Sequence, residues 1–260
     1  MGDKEEWFRD ESFWEQYAPI MFDRRHWDEV PAVADSLTRL AGFRFYDDVD
    51  AGADGPRVLD LCCGFGRITL ELARRGFAAT GVDITPAYLE TAREDAACEH
   101  LDIEFIHADV RDFKRPAAFD LAVNLYISFG YFENPDDDRL LVRNAFESLK
   151  PGGAFIIETL GKEIAVRDFV EADWFERAGF KVLTEYTAVD SWAALKNRWI
   201  LVKDGNQIER TFTQRLYAAS ELRQLLLDAG FAGVEIYGGW NDDPYDHHAQ
   251  TLIVAGRKQR

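Results

Sequence analysis

No apolar run in the 260-residue chain approaches the ~20 residues that a membrane-spanning helix needs. Cysteine is scarce, with three in all, and none of them form a Cys-x-x-Cys pair or a disulfide framework. Cys62 and Cys63 are adjacent and Cys98 stands alone, so free thiols in a reducing compartment are expected. The amino-terminal stretch MGDKEEWFRDESFWEQ is acidic and lacks the apolar core of a secretory signal. A cytoplasmic location is therefore expected. Positive charge is also short: 30 Lys and Arg stand against 47 Asp and Glu, for a net charge of −17. A nucleic-acid binder must neutralise phosphates with Lys and Arg, so DNA and RNA are not expected as substrates. Repeats and low-complexity tracts are missing as well. What the chain does have is the 47% hydrophobic and 13% aromatic content of a folded globular protein. It is long enough for one full core, with or without an insertion.

Short β-like runs alternate with helical segments, the pattern of a largely parallel sheet covered on both faces. Strands are expected near 57–61, 78–82, 103–107, 119–123 and 154–159, with helices near 66–75, 86–98 and 137–149. Proline and two glycines in KPGG, at Lys150–Gly153, are expected to stop the last of these helices. From Lys181 to Tyr217 three β-rich stretches follow, with KDGN at 203–206 a hairpin turn between the second and third. A helix at 220–229 and strands near 232–237 and 250–256 would close the main sheet. The expected fold is α/β: a doubly wound, seven-stranded, mostly parallel sheet with an amino-terminal helical lid and an inserted small antiparallel sheet. The expected divisions are a lid at 1–42, a core at 43–180 and 218–260, and an insert at 181–217.

The richest stretch is VLDLCCGFGRITLELARRGFAATGVDITP, residues 58–86. A Gly-rich turn at the carboxyl end of a first parallel strand lets a ligand approach the backbone beside a helix N-terminus. Asp83 lies 19 residues after Gly64, at the end of the second strand, where a carboxylate can accept hydrogen bonds from ribose hydroxyls. The dinucleotide fingerprint wants a third glycine, and threonine stands there in Gly64-Phe65-Gly66-Arg67-Ile68-Thr69. Asp60 sits just before the loop; it would repel a pyrophosphate but suits a ligand carrying an ammonium and a sulfonium. That favours S-adenosylmethionine over NAD.

On these residues the chain resembles the class I S-adenosylmethionine-dependent methyltransferases of the bacterial small-molecule type. VLDLCCGFGR is similar to the family's first motif, with Cys62, Gly64 and Gly66 at the alternate positions and cysteine in place of the first glycine. GVDITPAYLETAR resembles the second motif and FIHADVRDF the third. The resemblance implies that Asp83 holds the ribose, Ile84 packs on the adenine, Asp109 lies near the adenine amino group and the Val110 backbone at its ring. It also implies Tyr17 near the methionine moiety, and an inserted sheet that helps cover the substrate.

Asp60 is the expected partner of the methionine ammonium, in competition with a role bracing the loop. Asn124 and Tyr126 follow strand 4 at the mouth of the sheet, where open α/β folds bind ligands. Nucleic-acid amino-methyltransferases carry Asn/Asp-Pro-Pro-aromatic here, and NLYI has no proline. Tyr126, His247 and His248 are the candidate catalytic residues, the histidines because imidazole titrates near neutrality. The aspartates around them match no defined metal-ligand spacing, so no metal is expected. The expected activity is methyl transfer to a nitrogen or oxygen of a small molecule, by a monomer or homodimer. A non-catalytic S-adenosylmethionine-binding module and an NAD-dependent oxidoreductase stand as alternatives.

Overall fold

Val58 and Leu59 explain the layering of the molecule, because neighbouring side chains of a strand point to opposite faces. Val58 packs with Val33, Leu37 and Leu72 on one side of the sheet, and Leu59 with Leu141, Phe155 and Leu222 on the other. The computed structural model describes residues 6–43 and 55–260; residues 1–5 of the expected lid and 44–54 at the start of the expected core lie outside them.

The main sheet contains β1 (Arg57–Leu61), β2 (Ala78–Asp83), β3 (Glu104–His107), β4 (Phe119–Asn124), β5 (Leu149–Thr159), β10 (Ala232–Tyr237) and β11 (Leu252–Arg257). Their order is β10-β11-β5-β4-β1-β2-β3. β1 to β5 are parallel, and β11 is antiparallel to both of its neighbours. The chain winds outward in opposite directions from β1 and β4, so a crevice opens at their carboxyl ends. Helices α4 (Arg67–Arg74), α5 (Pro86–Cys98), α6 (Pro135–Ser148), α7 (Lys162–Arg167) and α8 (Ala219–Asp228) connect or flank these strands. The seven-stranded sheet agrees with the expectation. β5 begins earlier than expected: α6 stops at Ser148, and the KPGG segment is already part of the strand.

The amino-terminal segment has two separate jobs. A short 3-10 turn (Trp7–Arg9) and α1 (Glu11–Met21) cross the carboxyl ends of the strands, α2 (Arg24–Asp28) follows, and α3 (Val30–Leu40) is a layer of the core. α3 buries Val30, Val33, Leu37 and Leu40 against the sheet and α4. In α1, Phe13, Tyr17 and Ile20 recur at the spacing that lines one helix face. They pack on Val182, Leu201 and Phe212 of the second sheet.

That second sheet has four antiparallel strands, in the order β6 (Ala172–Arg177), β7 (Phe180–Val189), β8 (Ala194–Lys203) and β9 (Asn206–Arg215). The expected turn in KDGN is present, with Asp204 and Gly205 both at positive φ between β8 and β9. β6 lies before the expected start at 181. It is an edge strand, mostly exposed on both faces, so ADWFER carries no apolar alternation to read. Pairing along β7 and a tight turn at Ala178 and Gly179, again both at positive φ, create it.

Candidate active site

The loop leaving β1 is wound left-handed at Cys62 (φ 63°), Gly64 (φ 55°) and Gly66 (φ 73°) before α4 begins. At Gly66 a Cβ would lie 2.9 Å from the Phe105 ring, so glycine is required both for the turn and for close helix packing. Cys62 adopts the left-handed conformation without being glycine, at a cost of about 1–2 kcal/mol. Backbone N–H groups thereby face the end of β2. The Gly64 N–H donates to Asp83 Oδ2 (2.7 Å), and the Thr85 N–H donates to Asp83 Oδ1 (2.8 Å). Asp60, beneath the loop, accepts from Thr69 Oγ1 at 2.6 Å. The threonine at the third motif position therefore satisfies a buried carboxylate.

Asp60 and Asp83 are both buried, and neither forms an ion pair among the described residues. Burial pushes Asp60 up to about 6, aided by the nearby negative charge of Asp83. Burial raises Asp83 as well, against the hydrogen bonds from Gly64 and Thr85. Two desolvated carboxylates at one loop call for positive charge from a ligand.

A cavity opens above them. Gly64, Cys62, Asp83 and Thr85 form its floor, Ile84, Ala108, Val110 and Phe132 one apolar end, and Phe8, Trp14 and Phe22 of the amino-terminal segment its cover. Ser128 and Tyr131, from the loop after β4, complete the wall. An apolar slot beside a carboxylate suits a base joined to a ribose. Arg67 partly offsets the charge of Asp60, and a sulfonium and an ammonium would add positive charge at the loop. The residues thus fit S-adenosylmethionine.

Of the expected cofactor residues, Cys62, Gly64, Asp83, Ile84, Asp109 and Val110 line this cavity. Gly66 and Asp60 support it from behind. Asn124, fully buried, donates from Nδ2 to Leu61 O (2.9 Å), and its Oδ1 has no partner among the described residues. Asp109 is held differently from the expectation. Its Oδ1 accepts from the Arg111 N–H and Nε, and its Oδ2 from Arg9 (2.6 Å) and Arg111 (2.7 Å). These four donors take its lone pairs, leaving none for an adenine amino group in this arrangement. Burial opposes the charge, yet Arg111 and Arg9 hold Asp109 below the ordinary carboxylate range. Glu6 also binds Arg111 and Arg9, so the cluster ties the start of the chain to the cavity rim.

Three further residues fall elsewhere. Tyr17 is wholly buried in the seam between α1 and the second sheet, its hydroxyl donating to Trp199 O at 2.8 Å. It does not line the cavity. The Tyr126 ring turns away from the cavity wall and lies under the Arg67 guanidinium, 4.1 Å from its centroid, with Phe22 also beside that cation. The cause is backbone: Tyr126 and Ile127 are both left-handed (φ 54° and 62°), which reverses the side-chain direction read from strand alternation. His247 and His248 sit exposed on the loop between β10 and β11, ring against ring at 3.9 Å, and outside the cavity lining. Among the described residues no cluster of His, Cys, Asp and Glu could hold a metal. Phe8, Trp14 and Phe22 belong to the expected lid, whereas the motifs do not mark Tyr131 and Phe132, since nothing in an aromatic's local spacing separates a cavity wall from a core.

Arg9→Ala should speed dissociation of S-adenosylhomocysteine by about twofold to fivefold, the worth of a part-exposed charge pair. Stopped-flow measurement at low and high salt checks this, since salt should shrink the difference. Equal rates at low salt would mean that the ion cluster does not hold the cover down.

Comparison with known proteins points the same way. Residues 58–153 match the methyltransferase domain family. A ubiquinone biosynthesis O-methyltransferase from Neisseria meningitidis is 35% identical over 122 residues, spanning 45% of this chain and 50% of its own. The fold matches an S-adenosylmethionine-dependent methyltransferase from Clostridium acetobutylicum with a TM-score of 0.76 at 16% identity, covering 95% of this chain and 100% of that one. It also matches CalS10 of Micromonospora echinaspora, an amino pentose methyltransferase with S-adenosylmethionine bound, with a TM-score of 0.67 at 21% identity over 94% and 96% of the two chains. With its motif loop, its two buried carboxylates and its switch-point cavity, the chain matches the methyltransferase domain over residues 58–153 and has the fold of S-adenosylmethionine-dependent methyltransferases.

Proposed function

We propose that the protein methylates a nitrogen or oxygen of a small-molecule acceptor by in-line displacement. The observation that carries this reading is the cover: Phe8, Trp14 and Phe22 close the cavity with aromatic side chains, which suits a compact acceptor better than a polymer. The net charge of −17 supports it by disfavouring a polyanion. An O-methyltransferase relative and a sugar N-methyltransferase of similar fold support either acceptor atom. The reading is of a cytoplasmic enzyme, monomer or homodimer; among the described residues no helix is long and apolar enough to cross a membrane.

When bound, S-adenosylmethionine supplies an electrophilic methyl on a good leaving group. The chain supplies position. Asp83 would hold the ribose hydroxyls, Asp60 would offset the methionine ammonium from beneath the loop, Ile84 and the Val110 backbone would meet the adenine, and the aromatic cover would exclude water. Alignment of this kind can be worth about 7–11 kcal/mol of barrier, enough that an uncharged amine needs no strong base. The test is incubation with S-adenosylmethionine and separate panels of small amines, small alcohols and phenols, peptides, and DNA. S-Adenosylhomocysteine should form, and the acceptor gain one methyl, in a small-molecule panel. Turnover with DNA alone, or binding of S-adenosylhomocysteine with no turnover in any panel, would overturn the reading.

The Asp60 role predicts a pH dependence. In the folded, unliganded protein Asp60 keeps its proton up to about 6, against 3.8 ordinarily. Because the folded state binds this proton more tightly, Asp60 favours folding fully below pH ~4, and that contribution is lost as pH rises to about 6. Cofactor affinity runs the other way, since the ammonium needs the carboxylate. Affinity for S-adenosylhomocysteine should rise about tenfold per pH unit toward pH 6 and level off above it. Calorimetry from about pH 5 to 8 checks this, and Asp60→Asn should flatten the curve. A flat wild-type profile would leave Asp60 only the bracing role.

A further inference from the structure

The loop after β4 is stitched to the end of the second sheet. Gly130 O accepts from the Arg215 N–H at 2.7 Å, and at Gly130 (φ 93°) a Cβ would lie 2.6 Å from Arg215 O. Tyr131 follows directly. Trp7 meets its ring edge-on at 4.8 Å, and Trp14 stands beside it at 6.4 Å. The ring lines the cavity, as Cys62 does.

The other hydroxyls of the cavity wall are committed. Ser128 Oγ donates to Leu125 O at 2.8 Å, Tyr88 donates to Trp14 O at 2.5 Å, and the Thr85 side chain hydrogen-bonds Asp83. The Tyr131 hydroxyl has no hydrogen-bond partner among the described residues. A phenol held rigidly at a cavity wall, with its donor and acceptor capacity unused, is set up to meet a ligand. Burial, with a contribution from Cys62, pushes the phenol above its ordinary range, so it works as a neutral hydrogen-bonding group and not as a base.

We propose that Tyr131 faces the transferring methyl and the acceptor atom, its phenol oxygen accepting a hydrogen bond from the incoming N–H or O–H. This rests on the cofactor reading above and adds the residue that sets acceptor geometry. The position assigned by the motifs to Tyr126 belongs instead to a tyrosine five places on.

Two ligands test this without an identified acceptor. S-Adenosylhomocysteine carries nothing at the methyl position, whereas sinefungin carries an amine there. Calorimetry on the wild type and Tyr131→Phe should show S-adenosylhomocysteine affinity within about twofold, which also reports that the variant is folded. Sinefungin should weaken about tenfold, the effect of losing one hydrogen bond to a charged group. Equal affinity for sinefungin in both proteins, or equal weakening of both ligands, overturns the assignment of Tyr131 alone. A wild type that binds neither ligand overturns the cofactor reading and this one with it.

Discussion

Asp83→Ala is expected to weaken S-adenosylhomocysteine binding at least tenfold and up to about a thousandfold. The ribose would lose two hydrogen bonds to a carboxylate, each worth about 1.5–3 kcal/mol. The substitution also strips the Gly64 and Thr85 N–H groups of their acceptor, which loosens the loop that frames the cavity. An opposing effect limits the damage to the unliganded fold, because removing Asp83 relieves repulsion on buried Asp60. Binding should therefore suffer more than stability. Asp83→Asn separates the contributions: it keeps one backbone acceptor and removes the charge. Calorimetry with both variants checks this, and an unchanged dissociation constant for Asp83→Ala would remove the residue from the ribose.

Tyr17→Ala should destabilise the protein by about 3–5 kcal/mol, the usual cost of emptying a large buried aromatic site. At this chain length that is a fall in Tm of roughly 6–20 °C. Tyr17 stacks on Phe13 with 4.8 Å between centroids and anchors α1 to β8 through Trp199 O. Tyr17→Phe keeps the stacking and loses only the hydrogen bond, so it should cost about 1 kcal/mol. Its affinity for S-adenosylhomocysteine should stay within about twofold. Should Tyr17→Phe weaken that ligand tenfold with little change in Tm, the tyrosine would be a cofactor contact after all.

The contrast between Asp83 and Tyr126 shows where the sequence stops being legible. Gly64, Asp83, Ile84 and Val110 stand at strand ends or in a turn whose conformation their own residue types impose, so spacing alone brings them to one cavity. The strands of the main sheet are equally readable, because each is a short apolar run between turn residues. Tyr126 fails because two non-glycine residues in a row are left-handed, a state that tertiary contacts impose and no propensity announces. β6 fails because an exposed edge strand has no buried face to pattern. Asp109 marks a third limit. Its place at the cavity is legible, but its partners Arg9 and Arg111 arrive from outside the motif or serve two roles at once.

The seam between α1 and the second sheet also sets the order in which the protein can be completed. Tyr17 and Trp199 are 182 residues apart. At ribosomal speeds of about 5–20 residues per second, the partner of Tyr17 is made roughly ten to forty seconds later. During that interval Phe13, Tyr17 and Ile20 leave the ribosome before Val182, Leu201 and Phe212, on which they pack, have been made. The apolar face of α1 therefore stays open on the nascent chain until the second sheet is made.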